Sequence, residues 1–218
     1  MIFNEFLAKQ DKIYAEFRDT SKLEAEGLIP QIFDNKGGYI IVLRHSDNII
    51  TNVENFAEKI NRVTSSIKYD ESNIHTTLAT YQLVDGFSPI KENLEYLANI
   101  VYHKLSLIKK IEIEYSEWLI NQDSGIARGI PNLAFFENVR IITDYAHECG
   151  IHLKFPWGAH ITVSRFLEKI SHDQTLELLN IFENSKPLGI SRPKYIDVGY
   201  FMLTPKSLKI NVSERFEV

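Results

Sequence analysis

The chain reads as a bilobal α+β protein, and three observations carry that reading. Short β-rich apolar runs alternate with segments of helical spacing. The order strand, helix, strand, helix, strand occurs twice along the chain. A short motif, His-x-Thr-aliphatic, sits at the equivalent place in each half, as His75-Thr76-Thr77-Leu78 and as His160-Ile161-Thr162-Val163.

Taken in order, residues 3–17 put Phe3, Phe6, Leu7, Ile13, Tyr14 and Phe17 on one helical stripe. Ser21-Lys22-Leu23-Glu24 has the capping-box pattern of a second short helix, which Gly27 and Pro30 end. Residues 1–37 therefore form a helical extension, and residues 38–218 the main domain. Asn35-Lys36-Gly37-Gly38 reads as a turn that lacks the context of a phosphate loop. Tyr39-Ile40-Ile41-Val42-Leu43 follows as a buried strand, and Val53, Phe56, Ala57, Ile60, Val63 and Ile67 as a helix. The first motif lies in a strand from Asn73 to Tyr81. A long amphipathic helix from Ile90 to Ile108 leads to the alternating strand Ile111-Glu112-Ile113-Glu114-Tyr115. In the second half, Ile126 to Ile130 is a short strand and Phe136 to Cys149 a helix stopped by Gly150. The second motif lies in a strand from Ala159 to Phe166. Leu176, Leu179 and Phe182 mark a helix ending near Pro187 and Gly189. Two last strands, Tyr195 to Leu203 and Leu208 to Val212, are joined at Thr204-Pro205-Lys206. With no linker or low-complexity stretch, the two halves form one domain and meet where the motifs lie.

Composition excludes several classes. The 218 residues are 44% apolar and 24% charged, as in an ordinary globular protein with a substantial core. A net charge of −5 argues against an extended basic surface for duplex nucleic acid, yet leaves room for a short phosphate ligand in a local positive pocket. A single cysteine, Cys149, suits a reducing compartment. Met1-Ile-Phe-Asn-Glu-Phe lacks the features of a signal peptide, and no apolar run is long enough to span a membrane. The expectation is a cytoplasmic protein with no membrane partner.

In a strand, residues two apart share a face, so each motif aims a histidine and a threonine the same way. Ile161 and Val163 then oppose His160, Thr162 and Ser164, while Ile74 and Leu78 oppose His75, Thr77, Ala79 and Tyr81. Two imidazoles flanking one phosphorus can divide the proton transfers of phosphoryl chemistry, one as base and one as acid. The threonine hydroxyls can hold non-bridging phosphate oxygens. Neither histidine has a second histidine or a carboxylate at ligand spacing, so the expectation is no metal and no cofactor.

These residues resemble the 2H phosphoesterase superfamily, the LigT-like cyclic phosphodiesterases. Asn73-Ile74-His75-Thr76-Thr77-Leu78 is similar to the first signature, and Phe155-Pro156-Trp157-Gly158-Ala159-His160-Ile161-Thr162-Val163-Ser164-Arg165 to the second. The resemblance covers roughly Gly38 to Val212. It implies a pseudo-symmetric fold of two antiparallel sheets flanked by helices, with the cleft between them. It also implies His75 and His160 as the acid/base pair and Thr77 and Thr162 as phosphate contacts. The implied reaction is metal-independent cleavage of a 2′,3′-cyclic or 2′-5′-linked phosphodiester in a nucleotide or short oligonucleotide. The extension 1–37 is not part of that family core; capping the cleft or mediating dimerisation are its candidate roles.

Weaker substrate-binding candidates are Tyr81 and Tyr200 as base stackers, with Tyr39, Trp157 and Phe201, and Arg165 as a phosphate contact. By parity Arg165 falls with Ile161 and Val163, which favours a rim or structural role. His147, Cys149 and His152 do not make a zinc signature. His45, His103 and His172 are expected on the surface. The main rival to an enzyme is a non-catalytic module that binds phosphorylated nucleotides or RNA ends. A weaker rival is a partner-binding protein working through its N-terminal helices.

Overall fold

The computed structural model describes residues 1–30 and 35–218. The junction between the expected extension and the main domain, at 31–34, lies outside the described residues. Helices α1 (Phe3–Arg18) and α2 (Ser21–Glu26) precede β1 (Lys36–Arg44), α3 (Asp47–Asn61), β2 (Thr76–Asp85) and α4 (Lys91–Lys104). Then come β3 (Ile113–Ile120), β4 (Ser124–Pro131), α5 (Leu133–Glu148), β5 (His160–Arg165) and α6 (His172–Asn184). Strands β6 (Gly189–Ser191), β7 (Tyr195–Thr204) and β8 (Ser207–Glu217) complete the chain.

The strands form two antiparallel sheets of four, ordered β2-β1-β7-β8 and β5-β4-β3-β6. Each motif strand is thus an edge strand, paired to the strand that precedes it in sequence. Helices cover the sheets through their apolar stripes: α3 buries Ile49, Val53, Phe56, Ala57 and Ile60. Local chemistry sets the helix starts. Asn132 accepts the Phe135 N–H at the head of α5, and Ser171 with Gln174 forms a reciprocal capping box on α6.

Four expectations change. The sequence halves are not the lobes: β3 crosses into the sheet of the second motif, and β7 and β8 return to the sheet of the first. Lys36-Gly37-Gly38 is not a turn but the start of β1, because both β2 and β7 pair with it. The three-residue strand β6, read as a helix end, is too short to show a period and exists through its pairing with β3. The capping pattern shifts by one: Thr20, not Ser21, precedes α2, and its hydroxyl bonds Glu24 at 2.6 Å.

Candidate active site

The two motif strands carry the same irregularity. Opposite β1, Ala79 pairs with Ile41 and Thr77 with Val42, which leaves Leu78 as an extra residue in β2. Opposite β4, Ser164 pairs with Gly125 and Thr162 with Ile126, which leaves Val163 extra in β5. The aliphatic residue of each motif is therefore the bulged residue, and it is fully buried in both strands. A bulge reverses the strict alternation beyond it. Positions His, His+2 and His+5 consequently line one cleft in both strands: His75, Thr77 and Thr80 from β2 and its approach, and His160, Thr162 and Arg165 from β5.

That reversal decides the weaker candidates. Arg165 lies in the cleft rather than behind the strand, and its positive charge acts on the buried Tyr69 hydroxyl. Tyr81 does not line the cleft; its ring packs on Tyr39, with centroids 5.9 Å apart. Tyr200 likewise lies outside, against Phe87, while its neighbour Phe201 lines the cleft. Trp157 is in the cleft and stacks on His160, centroids 4.1 Å apart and planes at 20°. The cleft holds about 360 Å³, and its walls also include Tyr69, Lys154, Phe155 and Leu208. Tyr69 and Lys154 were missed because each comes from a segment outside the motif strands. Ile67 N–H donates to the Arg165 carbonyl at 2.8 Å, and Lys154 N–H to the Thr80 carbonyl at 2.8 Å. Each lobe thus lends a segment to the free edge of the other lobe's motif strand, and no local pattern announces such pairing.

His75 Nδ1 donates to the carbonyl of Asn73 at 2.7 Å, which fixes the tautomer and leaves Nε2 for the cleft. Gly158, again two residues upstream, presents its carbonyl to His160 and favours the charged form, but no hydrogen bond of good geometry closes on His160 Nδ1. Burial pushes both imidazoles down to about 4 from an ordinary 6.5. The charge of His75 adds to the depression of His160. Both rings are therefore neutral in an empty cleft near pH 7.

Behind the cleft stands a residue that sequence reasoning put on the surface. His45 is buried, and its pKa is pushed down to about 3 by burial first, then by His75 and Arg44. Its Nδ1 lies 2.7 Å from Ser191 Oγ and its Nε2 3.1 Å from Thr76 Oγ1. Thr76 Oγ1 also meets the Tyr115 hydroxyl at 2.5 Å and donates to the His160 carbonyl at 3.1 Å. Every polar atom here is satisfied if Ser191 donates to Nδ1 and Nε2–H donates to Thr76, which needs a neutral His45. The second residue of the first motif thereby ties the backbone of the second. His103 and His172 are exposed, as expected, and Cys149 is an exposed free thiol. Among the described residues no three His, Cys, Asp or Glu side chains converge as a metal site. Nor is any helix among them long and apolar enough to cross a membrane.

No protein-family model and no curated protein matches the chain. Solved structures do. TT0787 of Thermus thermophilus is 13% identical with a TM-score of 0.58, over 83% of this chain and 97% of that one. E. coli LigT in complex with 3′-AMP is 10% identical with a TM-score of 0.55, over 84% and 98%. The chain shares its fold with these two structures. LigT in its apo form agrees, at 12% identity and a TM-score of 0.52, over 84% of this chain and 98% of LigT. The expected architecture, two antiparallel sheets flanked by helices with the motif strands on either side of a cleft, is the one observed.

Proposed function

We propose that this chain is a metal-independent phosphodiesterase that hydrolyses a 2′,3′-cyclic or 2′-5′-linked phosphodiester of a nucleotide or short oligonucleotide. One observation carries the reading: two imidazoles, each paired with a threonine two residues on, line a single cleft. The reading is supported by the likeness to LigT, which has been solved with 3′-AMP. That nucleotide is one of the two products of opening a 2′,3′-cyclic phosphate.

The neutral imidazole takes a proton from water at Nε2 as the water oxygen bonds to phosphorus. The bond from phosphorus to the ribose oxygen breaks in line, and the other, protonated imidazole gives that oxygen its proton. The two rings end with exchanged protonation states. Thr77 and Thr162 hold the non-bridging oxygens, and Arg165 adds positive charge on the same side. The apolar wall of Phe155, Trp157 and Phe201 suits the nucleoside face.

Incubation with a panel of 2′,3′-cyclic, 3′,5′-cyclic and 2′-5′-linked substrates tests the reading. His75→Ala and His160→Ala should each lower kcat by about 10²–10⁴-fold, the usual worth of a general acid or base, with the fold retained. Turnover should survive excess chelator. Micromolar binding of the panel without turnover would instead establish the non-catalytic module, and substantial activity in both single variants would overturn the mechanism.

A further inference from the structure

The residue before each histidine is held from behind, but by different means. The Ile74 carbonyl accepts from Arg44 Nη1 at 3.1 Å, a guanidinium anchored on Asp197 at 2.7 Å. That anchor is internal to the first sheet. Ala159 is gripped instead by the N-terminal helix. Its N–H donates to Gln10 Oε1 at 2.8 Å, and its carbonyl accepts from the Tyr14 hydroxyl at 2.9 Å. Gln10 and Tyr14 are both fully buried. Since β5 begins at His160, Ala159 lies beyond the ladder, and buried peptide groups there need other partners.

The same helix holds Trp157. Tyr14 meets the indole edge-on at 5.4 Å and Phe17 stacks on it at 6.4 Å, and the His160 ring stacks on it at 4.1 Å. Between them Gly158 packs closely on the helix: a Cβ there would lie 3.1 Å from Gln10 Cγ and Oε1, so the Gln10 side chain would have to give way by a few tenths of an ångström. The stack matters because His160 Nδ1 lacks the well-formed hydrogen bond that orients His75. The helix is itself fixed, with Phe6 set among Phe135, Phe136 and Phe155, and with ion pairs Asp11–Arg128 at 3.0 Å and Arg18–Glu117 at 2.6 Å.

We propose that Gln10, Tyr14 and Phe17 are positioning residues, which hold the segment Trp157–His160 so that His160 Nε2 meets the phosphate in line. The inference rests on the two-histidine reading of the cleft and gives the N-terminal extension a task inside the catalytic unit.

The full-length variants Tyr14→Phe, Gln10→Leu and Phe17→Ala test it, each followed by steady-state kinetics and by NMR of the histidine rings. A displaced imidazole costs rate rather than binding, so kcat should fall about 10–100-fold with KM within about twofold. Gln10→Glu, which keeps the acceptor, should return kcat to within about threefold of the native chain. The ring signals and titration of His160 should move in the three variants while those of His75 stay put. Unchanged kcat and an unmoved His160 would overturn the proposal, even if the melting temperature drops. Should Gln10→Leu fail to fold, Tyr14→Phe removes a single oxygen and still decides the matter. If the native chain turns over no phosphodiester, the NMR arm tests the positioning without any activity.

Discussion

At the scale of single residues, the proposed chemistry turns on two imidazoles that desolvation keeps neutral and on how a substrate would recharge one of them. A phosphodiester anion about 4 Å away, at an effective dielectric of about 20, contributes about 4 kcal/mol, enough to raise one pKa by about three. Starting from about 4, that brings one ring near neutrality. Once it is charged, its repulsion keeps the other neutral, as the effect of His75 on His160 already indicates. On the proposed reading, an acid and a base are thereby produced from two like residues. The expected consequence is that kcat, which reports the complex, has its pH optimum well above that of kcat/KM, which reports the free protein. Coincident profiles would count against it. Replacing Thr77 or Thr162 with Val should lower kcat by about 10²–10³-fold, if each hydroxyl steadies charge on the transition-state phosphate.

At the scale of elements, the matching bulges in β2 and β5 are what aim the site. Sequence parity places His and Thr correctly because both precede the bulge, and it misplaces Tyr81 and Arg165 because both follow it. Leu78 and Val163 look like ordinary inward-facing strand residues; only the register against the neighbouring strand reveals the insertion. The neighbour also matters at Gly129 of β4, where a Cβ would run into the Ala159 carbonyl oxygen and lie 2.7 Å from Ile113 Cγ2. Neither backbone nor a packed core side chain yields cheaply, so Gly129→Ala should destabilise by about 1–3 kcal/mol. Because the carbonyl it displaces is the one Tyr14 holds, kcat should fall as well. A denaturation midpoint equal to that of the native chain would refute the close approach.

For the molecule as a whole, the buried His45 and the half-buried His75 and His160 couple folding to pH. His45, His75 and His160 have folded-state pKa values of about 3, 4 and 4 against 6.5 when exposed. The unfolded chain therefore binds more protons between those values, and stability, full above about pH 6.5, declines as pH falls toward about 4. Urea unfolding across that interval should show an uptake of up to three protons. A midpoint flat from pH 6.5 to 4 would contradict the desolvation of these rings. The exchange of strands between lobes, with β3 crossing one way and β7 and β8 the other, makes the cleft an internal seam rather than a contact of separate domains. Thr76, tied to His45, Tyr115 and the His160 carbonyl, is buried in that seam.

The sequence by itself determined the α+β alternation, the approximate place of most elements and the two His-x-Thr pairs, because periodicity and short motifs are local properties that a strand or helix expresses wherever it packs. Tertiary structure alone decided which strands share a sheet, that Arg165 enters the cleft while Tyr81 leaves it, and that His45 is buried. It also decided that Gln10, in the helix of the N-terminal extension, grips the residue before His160. Those facts depend on register and on partners more than a hundred residues away, and no local pattern carries them.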